Sequence, residues 1–203
     1  MDIRRVRSIR NVSPSANLHI FAAQADKAVI NVYTREKGNQ EATVPFPDRI
    51  RSLAHADGAE ILVIGMEEGK LLLWETATGR VSTSTSSHLQ SVSLLHITSS
   101  NSFILSGSAD ATIFVWSLAQ LVSFQTDEQP LGNEPASNAP LRAFSNHRSP
   151  ISALSAGHSR PNTNFAVSAS TDQTCHIWHI ETGEILKKRF FCPQYRLASL
   201  STR

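Results

Sequence analysis

Two sets of residues in this 203-residue chain have the types that nucleophilic catalysis uses. His88, Ser106, Ser108 and Asp110 form the first, closed by Trp116; His147, Ser168, Ser170 and Asp172 form the second, closed by Trp178. A serine hydrolase aligns a hydroxyl, an imidazole and a carboxylate, and holds the Ser on an exposed, strained turn beside an oxyanion hole. Here the serines lie inside short alternating apolar runs, FILSGSA and FAVSAS, and a Trp follows each Asp by six residues. The plainer reading is a hydrogen-bond chain joining His, Asp, Ser and the indole N–H, because buried polar groups must find partners. Under that reading both sets are structural and the chain has no catalytic residue and is not an enzyme.

Other chemistry finds little support. His88, His96, His147, His158, His176 and His179 have no zinc-ligand spacing, and two cysteines, Cys175 and Cys192, cannot make a four-Cys site or a disulfide scaffold. Cys175 and His176 are neighbours on a strand and point to opposite faces, so Cys175 reads as a small buried hydrophobe. Neither GxGxxG nor GxxxxGK[ST] occurs, so no nucleotide cofactor is expected. The nearest approach to an RNA-stacking pattern is Lys187, Lys188 and Arg189 before Phe190 and Phe191; it reads instead as a strand with its charges on the solvent side.

The elements that position these residues form a repeat. KLLLW, TIFVW and TCHIW end at Trp74, Trp116 and Trp178, and AVINVY ends at Tyr33. Tyr33 to Trp74 is 41 residues and Trp74 to Trp116 is 42, whereas Trp116 to Trp178 is 62. The histidines locate the excess of 20: 17 fall before His147, in QTDEQPLGNEPASNAP (125–140), and 3 after it, in AGHSRPNTN (156–164). Both stretches are turn-rich, so the insertions land in loops of a structural unit. Each unit reads as a His, a strand (SVSLL, PISAL), a turn, a second strand, an Asp, a third strand ending in Trp, a turn and a fourth strand (RVSTS, EILKKRF). ATG at 77–79 and ETG at 181–183 supply Gly where a hairpin needs positive φ. Four short antiparallel strands of this kind make one propeller blade.

These residues resemble the WD40 repeat family. The Gly-His dipeptide of that family is replaced by Ser87-His88 and Asn146-His147, and its Trp-Asp by Trp74-Glu75, Trp116-Ser117 and Trp178-His179. Glu68 stands in the Trp74 unit where the others have Asp, and Lys27, preceded by Asp26, in the Tyr33 unit. More narrowly, 19–53, ILSGSADATIFVWSLAQLVSF (104–124) and LRAFSNHRSPISAL (141–154) resemble the fungal pre-rRNA-processing WD40 subunit of the Rix-type complex in large-ribosomal-subunit assembly. The resemblance runs from about His19 to Phe190. It implies an all-β WD40 propeller and a non-catalytic scaffold role in a nuclear complex (nucleoplasm or nucleolus). That complex acts in pre-60S maturation and in processing internal transcribed spacer 2 of pre-rRNA. The implied partners are the Rix-type scaffold, a helical-repeat subunit, an AAA ATPase remodeller and the pre-ribosomal particle. The alternative is a general WD40 peptide-binding module, such as a ubiquitin-ligase substrate receptor or a chromatin reader.

Composition agrees with a packed β domain. Apolar residues make up 40% and charged residues 18%, while Ser and Thr together, 27 and 14 copies, favour strands and turns. A net charge of +2 argues against direct sequence-specific nucleic-acid binding built on phosphate contacts. The longest uncharged run, between Arg80 and Asp110, is too polar to span a membrane. Residues 1–18 read as a basic segment whose Arg4, Arg5, Arg7 and Arg10 precede no apolar stretch of the secretory kind. Residues 19–203 read as blades, with 125–140 a flexible loop. Candidate partner contacts are Arg49 and Arg51 in PFPDRIR, the acidic 125–140 loop and the N-terminal arginines. Setting the 20 extra residues aside leaves 183, about 4.4 units of 42, so the expected fold is an incomplete propeller with four recognisable blades of a seven-blade family.

Overall fold

The computed structural model describes residues 19–24, 27–34, 38–56, 60–84, 87–123, 139–158 and 164–190. The expectations for residues 1–18, for most of the 125–140 loop and for 191–203 lie outside the described residues. Four antiparallel sheets follow one another along the chain, each ordered as in sequence. The first holds β1 (His19–Ala23), β2 (Val29–Thr34) and β3 (Gln40–Pro45); the second β4 (Ile50–His55), β5 (Ile61–Met66), β6 (Leu71–Glu75) and β7 (Val81–Thr83). The third holds β8 (Val92–Ile97), β9 (Phe103–Ser108), β10 (Ile113–Ser117) and β11 (Arg142–Phe144). The fourth holds β12 (Ile151–His158), β13 (Asn164–Ser170), β14 (Thr174–His179) and β15 (Ile185–Phe190).

Alternation decides which side chains meet between sheets. Phe21, Ile30 and Val32 of the first sheet pack on Leu62, Ile64, Met66, Leu72 and Trp74 of the second. The opposite face of the second sheet, with Ile61, Val63, Leu71 and Leu73, meets Val92, Ile104 and Trp116 of the third. Leu105, Ile113 and Val115 on the far side of the third meet Ile151, Ala166 and Trp178 of the fourth. Strand β5 is therefore buried along its whole length, which is why ILVIGM has no polar alternation. Ser52 Oγ also donates across from the second sheet to the Val92 carbonyl at 2.7 Å.

One element differs from the sequence reading, which has only strands and turns. The first turn after β10 is a helix, α1 (Leu118–Ser123). Ser117 Oγ accepts the Gln120 amide at 3.3 Å, as a helix cap does, and Leu118 and Leu121 are spaced to bury one face in the core between the second and third sheets. The last strand of that sheet, β11, then forms after the 125–140 stretch and pairs with β10.

The turn joining the second and third strands of a sheet places its middle residue at positive φ: Gly69 at 86°, Ala111 at 68° and Gln173 at 67°. Gly69 has a second constraint, since a Cβ there would lie 2.2 Å from the His88 carbonyl oxygen. Gly79, also at positive φ (77°), has open space around it. Gly79→Ala should therefore cost about 1 kcal/mol, the conformational penalty alone, and Gly69→Ala at least about 2 kcal/mol more through the backbone clash. Equal losses for the two variants in urea unfolding would show that the second and third sheets do not meet at Gly69.

Candidate functional site

The two His–Ser–Asp sets each gather at one end of a sheet. In the third sheet, Trp116 Nε1 donates to Ser106 Oγ at 2.9 Å, and Ser106 Oγ lies 2.8 Å from His88 Nε2. His88 Nδ1 lies 2.8 Å from Thr112 Oγ1 and 3.4 Å from Asp110 Oδ2. Thr112 donates its hydroxyl to Asp110 Oδ1 at 2.6 Å. These contacts fix the protons. The Thr112 hydroxyl is spent on the carboxylate, so Nδ1 of His88 must be the donor and Nε2 the acceptor of the Ser106 proton. The result is one directed chain, Trp116 to Ser106 to His88 to Thr112 to Asp110. The fourth sheet repeats it: Trp178 Nε1 to Ser168 Oγ at 3.3 Å, Ser168 to His147 Nε2 at 2.9 Å, His147 Nδ1 to Thr174 at 3.1 Å and to Asp172 at 3.2 Å, and Thr174 to Asp172 at 2.6 Å.

Each carboxylate also reaches beyond its own turn. Asp110 accepts the amides of Thr112 and Leu89, and Asp172 those of Thr174 and Arg148, each at 2.8 to 2.9 Å. Ser108 and Ser170 stand one step away: Ser108 Oγ donates to the Gln90 carbonyl and accepts the Asp110 amide, and Ser170 does the same with Ser149 and Asp172. The chain thus ties the second–third strand turn to the connector that enters the sheet. Burial alone would raise the carboxyl pKa of Asp110 and Asp172, but these hydrogen bonds outweigh it and hold both below the usual carboxylate range. Burial holds His88 below the ordinary histidine value against the opposing pull of Asp110.

Ser106–His88–Asp110 has the order of a catalytic relay but not its access. Ser106 has 0% of its surface exposed and Ser168 1%, both lie mid-strand, and the indole N–H occupies the hydroxyl lone pair that an attack would use.

Sequence reasoning missed Thr112 and Thr174, although both are spelled out as Asp-x-Thr after the second strand. It also missed how the second sheet does without the chain. Counting back from Trp74 places Phe46 where His88 stands, Ile64 where Ser106 stands and Pro47 where Leu89 stands. Phe46 and Phe21 pack edge-on against Trp74, at 5.8 and 5.6 Å between centroids. Pro47 has no N–H to give, and the tie is reversed: Asp48 in the connector accepts the Glu68 amide at 2.8 Å. Arg49 is exposed at the end of this connector, while the guanidinium of Arg51 is held by Glu67.

A further difference lies in the fourth sheet. His176 occupies the place of Phe114, which stacks on His88 at 4.0 Å between centroids; His176 stacks on His147 at 4.4 Å. Its Nε2 is the one buried side-chain nitrogen or oxygen among the described residues without a hydrogen-bond partner. Burial, then His147 and Lys188, hold His176 below the ordinary value, with Asp172 opposing. On the next strand position Cys175 is buried, which pushes its thiol up. Lys187, Lys188 and Arg189 of β15 are exposed. No group of three or more metal-ligating side chains occurs among the described residues, and no helix there is long and apolar enough to cross a membrane.

Residues 79–117 and 138–179 match the family model for the WD domain, G-beta repeat. The chain carries WD40 repeats. The matched stretches run from β7 to β10 and from β11 to β14, so they contain both His–Ser–Asp sets. The chain is 29% identical over 175 residues to the pre-rRNA-processing protein IPI3 of Mycosarcoma maydis, covering 85% of this chain and 30% of that protein. It is 31% identical over 175 residues to WD repeat-containing protein 18 of Danio rerio, covering 85% of this chain and 38% of that protein. The WD40 chain thus spans about a third of the length of these curated relatives. Among solved structures, a chain of the mitotic checkpoint complex superposes with TM-score 0.68 at 16% identity, over 85% of this chain and 48% of that one. The computationally designed Ika8 protein superposes with TM-score 0.63 at 22% identity, over 86% and 46%. These likenesses give the fold, an arc of a WD40 β-propeller whose blades are the four sheets.

Two outcomes follow for the WD40 blades. Ser168→Ala leaves the indole N–H of Trp178 and Nε2 of His147 unpaired, and should cost about 2–4 kcal/mol in denaturant unfolding; a loss below about 0.5 kcal/mol would mean that the chain does not hold the blade. His88, His96 and His176, each held low by burial, set the pH dependence. A histidine whose folded pKa lies below its unfolded value of about 6.5 takes up its proton more readily when unfolded, so its stability contribution is complete above that pH and declines as pH falls below it. Asp110 and Asp172 add stability that is present above about pH 4 and lost as pH falls through their lowered values. Melting should therefore shift to lower temperature between pH 7.5 and 5.5. His176→Phe, which copies the third blade, should raise Tm and flatten that slope by at most one proton; an unchanged slope would assign the acid sensitivity to His88 or His96, both also held low by burial.

Proposed function

We propose that this WD40 chain serves as a non-catalytic scaffold in ribosome biogenesis, within a nuclear complex that matures the pre-60S particle and is needed to process internal transcribed spacer 2 of pre-rRNA. The observation that carries this reading is its alignment, over 85% of its length, with a pre-rRNA-processing protein and with WD repeat-containing protein 18. The blade chemistry supports the non-catalytic part: the residues with catalytic types are buried and spend their protons on one another. The partners proposed are a Rix-type scaffold, a helical-repeat subunit and an AAA ATPase remodeller, with any contact to pre-rRNA made through protein. Residues 1–18 are proposed as a basic segment preceding the blades, and 125–140 as a flexible loop on the third. A rigid arc of blades suits this task, because connectors fixed by hydrogen bonds present side chains with little entropy left to lose on docking.

The test is purification of the tagged native protein with mass spectrometry of what accompanies it. Large-subunit assembly factors recovered with the 203-residue form support the scaffold role. Recovery of a single short-motif protein, with no assembly factor, would favour a peptide-reading module and end the ribosome reading.

A further inference from the structure

Two junctions of the WD40 arc share one register, and only the first is filled. Trp74 pairs with Leu62 and Trp116 with Ile104, so Phe103 and Val115 stand in the third blade where Ile61 and Leu73 stand in the second. Leu118 and Ile180 correspond as well, each the residue after its third strand. The Leu118 amide donates to the Ser102 carbonyl at 3.1 Å, and the Ile180 amide to the Asn164 carbonyl at 3.0 Å. After Leu118 the chain enters α1, whose Leu121 and Val122 join the core that holds Ile61 and Leu73. After Ile180 it turns back at once through Gly183, at a φ of 78°. The third–fourth junction therefore has no counterpart of α1, and a cavity of about 190 Å³ lies against Phe103 and Val115. Its other walls are Leu141, Arg142, Ile180 and Glu181. An apolar cavity of about 150 Å³ takes benzene, so this one has room for a leucine side chain. Leu141 stands at the mouth, 38% exposed.

We propose that this cavity is the docking pocket for an amphipathic helix of a partner protein, which inserts one leucine as Leu121 does at the preceding junction and sets a carboxylate beside Arg142. Such a pocket goes beyond the scaffold role proposed above and does not depend on it. The chain itself shows that the site accepts a helical turn, because α1 supplies one to the equivalent position. Ile180 already provides the counterpart of Leu118, so the incoming helix needs only the counterpart of Leu121. The two charged walls choose the rest of the partner. Arg142 donates from Nε to the Glu181 carbonyl at 3.2 Å and from Nη1 to the Leu141 carbonyl at 3.3 Å, so among the described residues its charge meets no carboxylate. Glu181, the acid of the rim, is turned to Asn164, whose Nδ2 donates to Oε1 at 3.0 Å. A carboxylate one turn from the leucine lies on the same helix face and completes Arg142. Four apolar walls and a single cation suit a protein, whereas phosphate binding gains from many cations.

The experiment is fluorescence anisotropy with the purified full chain and a labelled, alanine-rich helical peptide that carries one leucine and a glutamate four residues after it. Replacing the peptide's leucine by alanine should weaken binding by about tenfold or more, the loss of one buried leucine, and it leaves the chain untouched. Leu141→Asp should do the same, with thermal melting recorded to show that the blades stay folded. Arg142→Glu should weaken binding several-fold, and a peptide with lysine in place of its glutamate should restore it. Absence of binding by the wild-type chain would overturn the pocket, as would equal binding of the leucine and alanine peptides. Binding that survives Leu141→Asp in a folded chain would overturn it by placing the helix elsewhere. A chain that dimerises in analytical ultracentrifugation, and becomes monomeric with Leu141→Asp, would give the pocket to a second copy and overturn the partner helix. None of these outcomes bears on whether assembly factors accompany the tagged protein, so the scaffold role stands or falls separately.

Discussion

The tie between each second–third strand turn and the connector that enters its blade is the constraint on which the arc depends, and in the third and fourth blades a buried chain from tryptophan through serine, histidine and threonine to aspartate supplies it. A blade is a sheet of a few strands, and strand pairing within it does not hold the connector that enters it; the polar chain does so through the carboxylate at its end. It starts at the indole on the third strand, crosses to the second, and ends on a carboxylate that holds the amide of the entering connector at Leu89 or Arg148. Because each hydroxyl in it both gives and takes a proton, no member can be lost without orphaning a neighbour, and the penalty for an unpaired buried group exceeds the net gain of the bond it made. The directed order also sets these residues apart from a catalytic relay. A relay that activates a nucleophile needs an open end, and here both ends are occupied, one by an indole and the other by backbone amides.

The second blade shows which part of this device is replaceable. Phe46 and Ile64 stand where His88 and Ser106 stand in the third, so the polar chain is exchanged for apolar contact with Trp74. Replacing all partners together leaves no orphan, which is the tolerated route. The tie to the connector is kept even so, with donor and acceptor reversed, because Pro47 cannot donate and Asp48 can accept. What the arc requires is a fixed connector; the means of burying the tryptophan is free to vary. The fourth blade varies differently. It keeps the polar chain and sets His176 beside it, a residue that stacks as Phe114 does but brings a nitrogen with nothing to bind.

Much of this was legible in the sequence, for a geometric reason. The antiparallel pairing of β9 with β10 and of β13 with β14 sets Ser106 and Ser168 ten residues before their tryptophans, and the hairpin allows no other spacing. A recurrence near 42 residues survives because insertions are confined to loops, as the 62-residue gap shows. The fourth-strand turns were readable through Gly79 and Gly183, both at positive φ. Less legible were features whose signal is an exchange rather than a recurrence. Pro45, Phe46, Pro47 and Asp48 look like a connector with two prolines, and only the register reveals that Phe46 and Pro47 stand for a histidine and a donor while Asp48 accepts from the turn instead. The helix α1 was hidden because LAQLVS follows an aromatic that elsewhere leads into a tight turn, and its burial depends on a core shared by two blades.

The same separation between fixed backbone and exchangeable side chain connects the fold to its use. A hydrogen-bond chain that is internal to each blade leaves the connector tips under no packing constraint, so their side chains can change without cost to stability. Catalysis would need the reverse, a reactive group held at the surface with its partners buried behind it. In this arc the reactive types are inside and the exposed positions are rigid but chemically simple: a proline, a leucine, an arginine. Such tips present shape and charge from a fixed backbone, which suits the scaffold role proposed above.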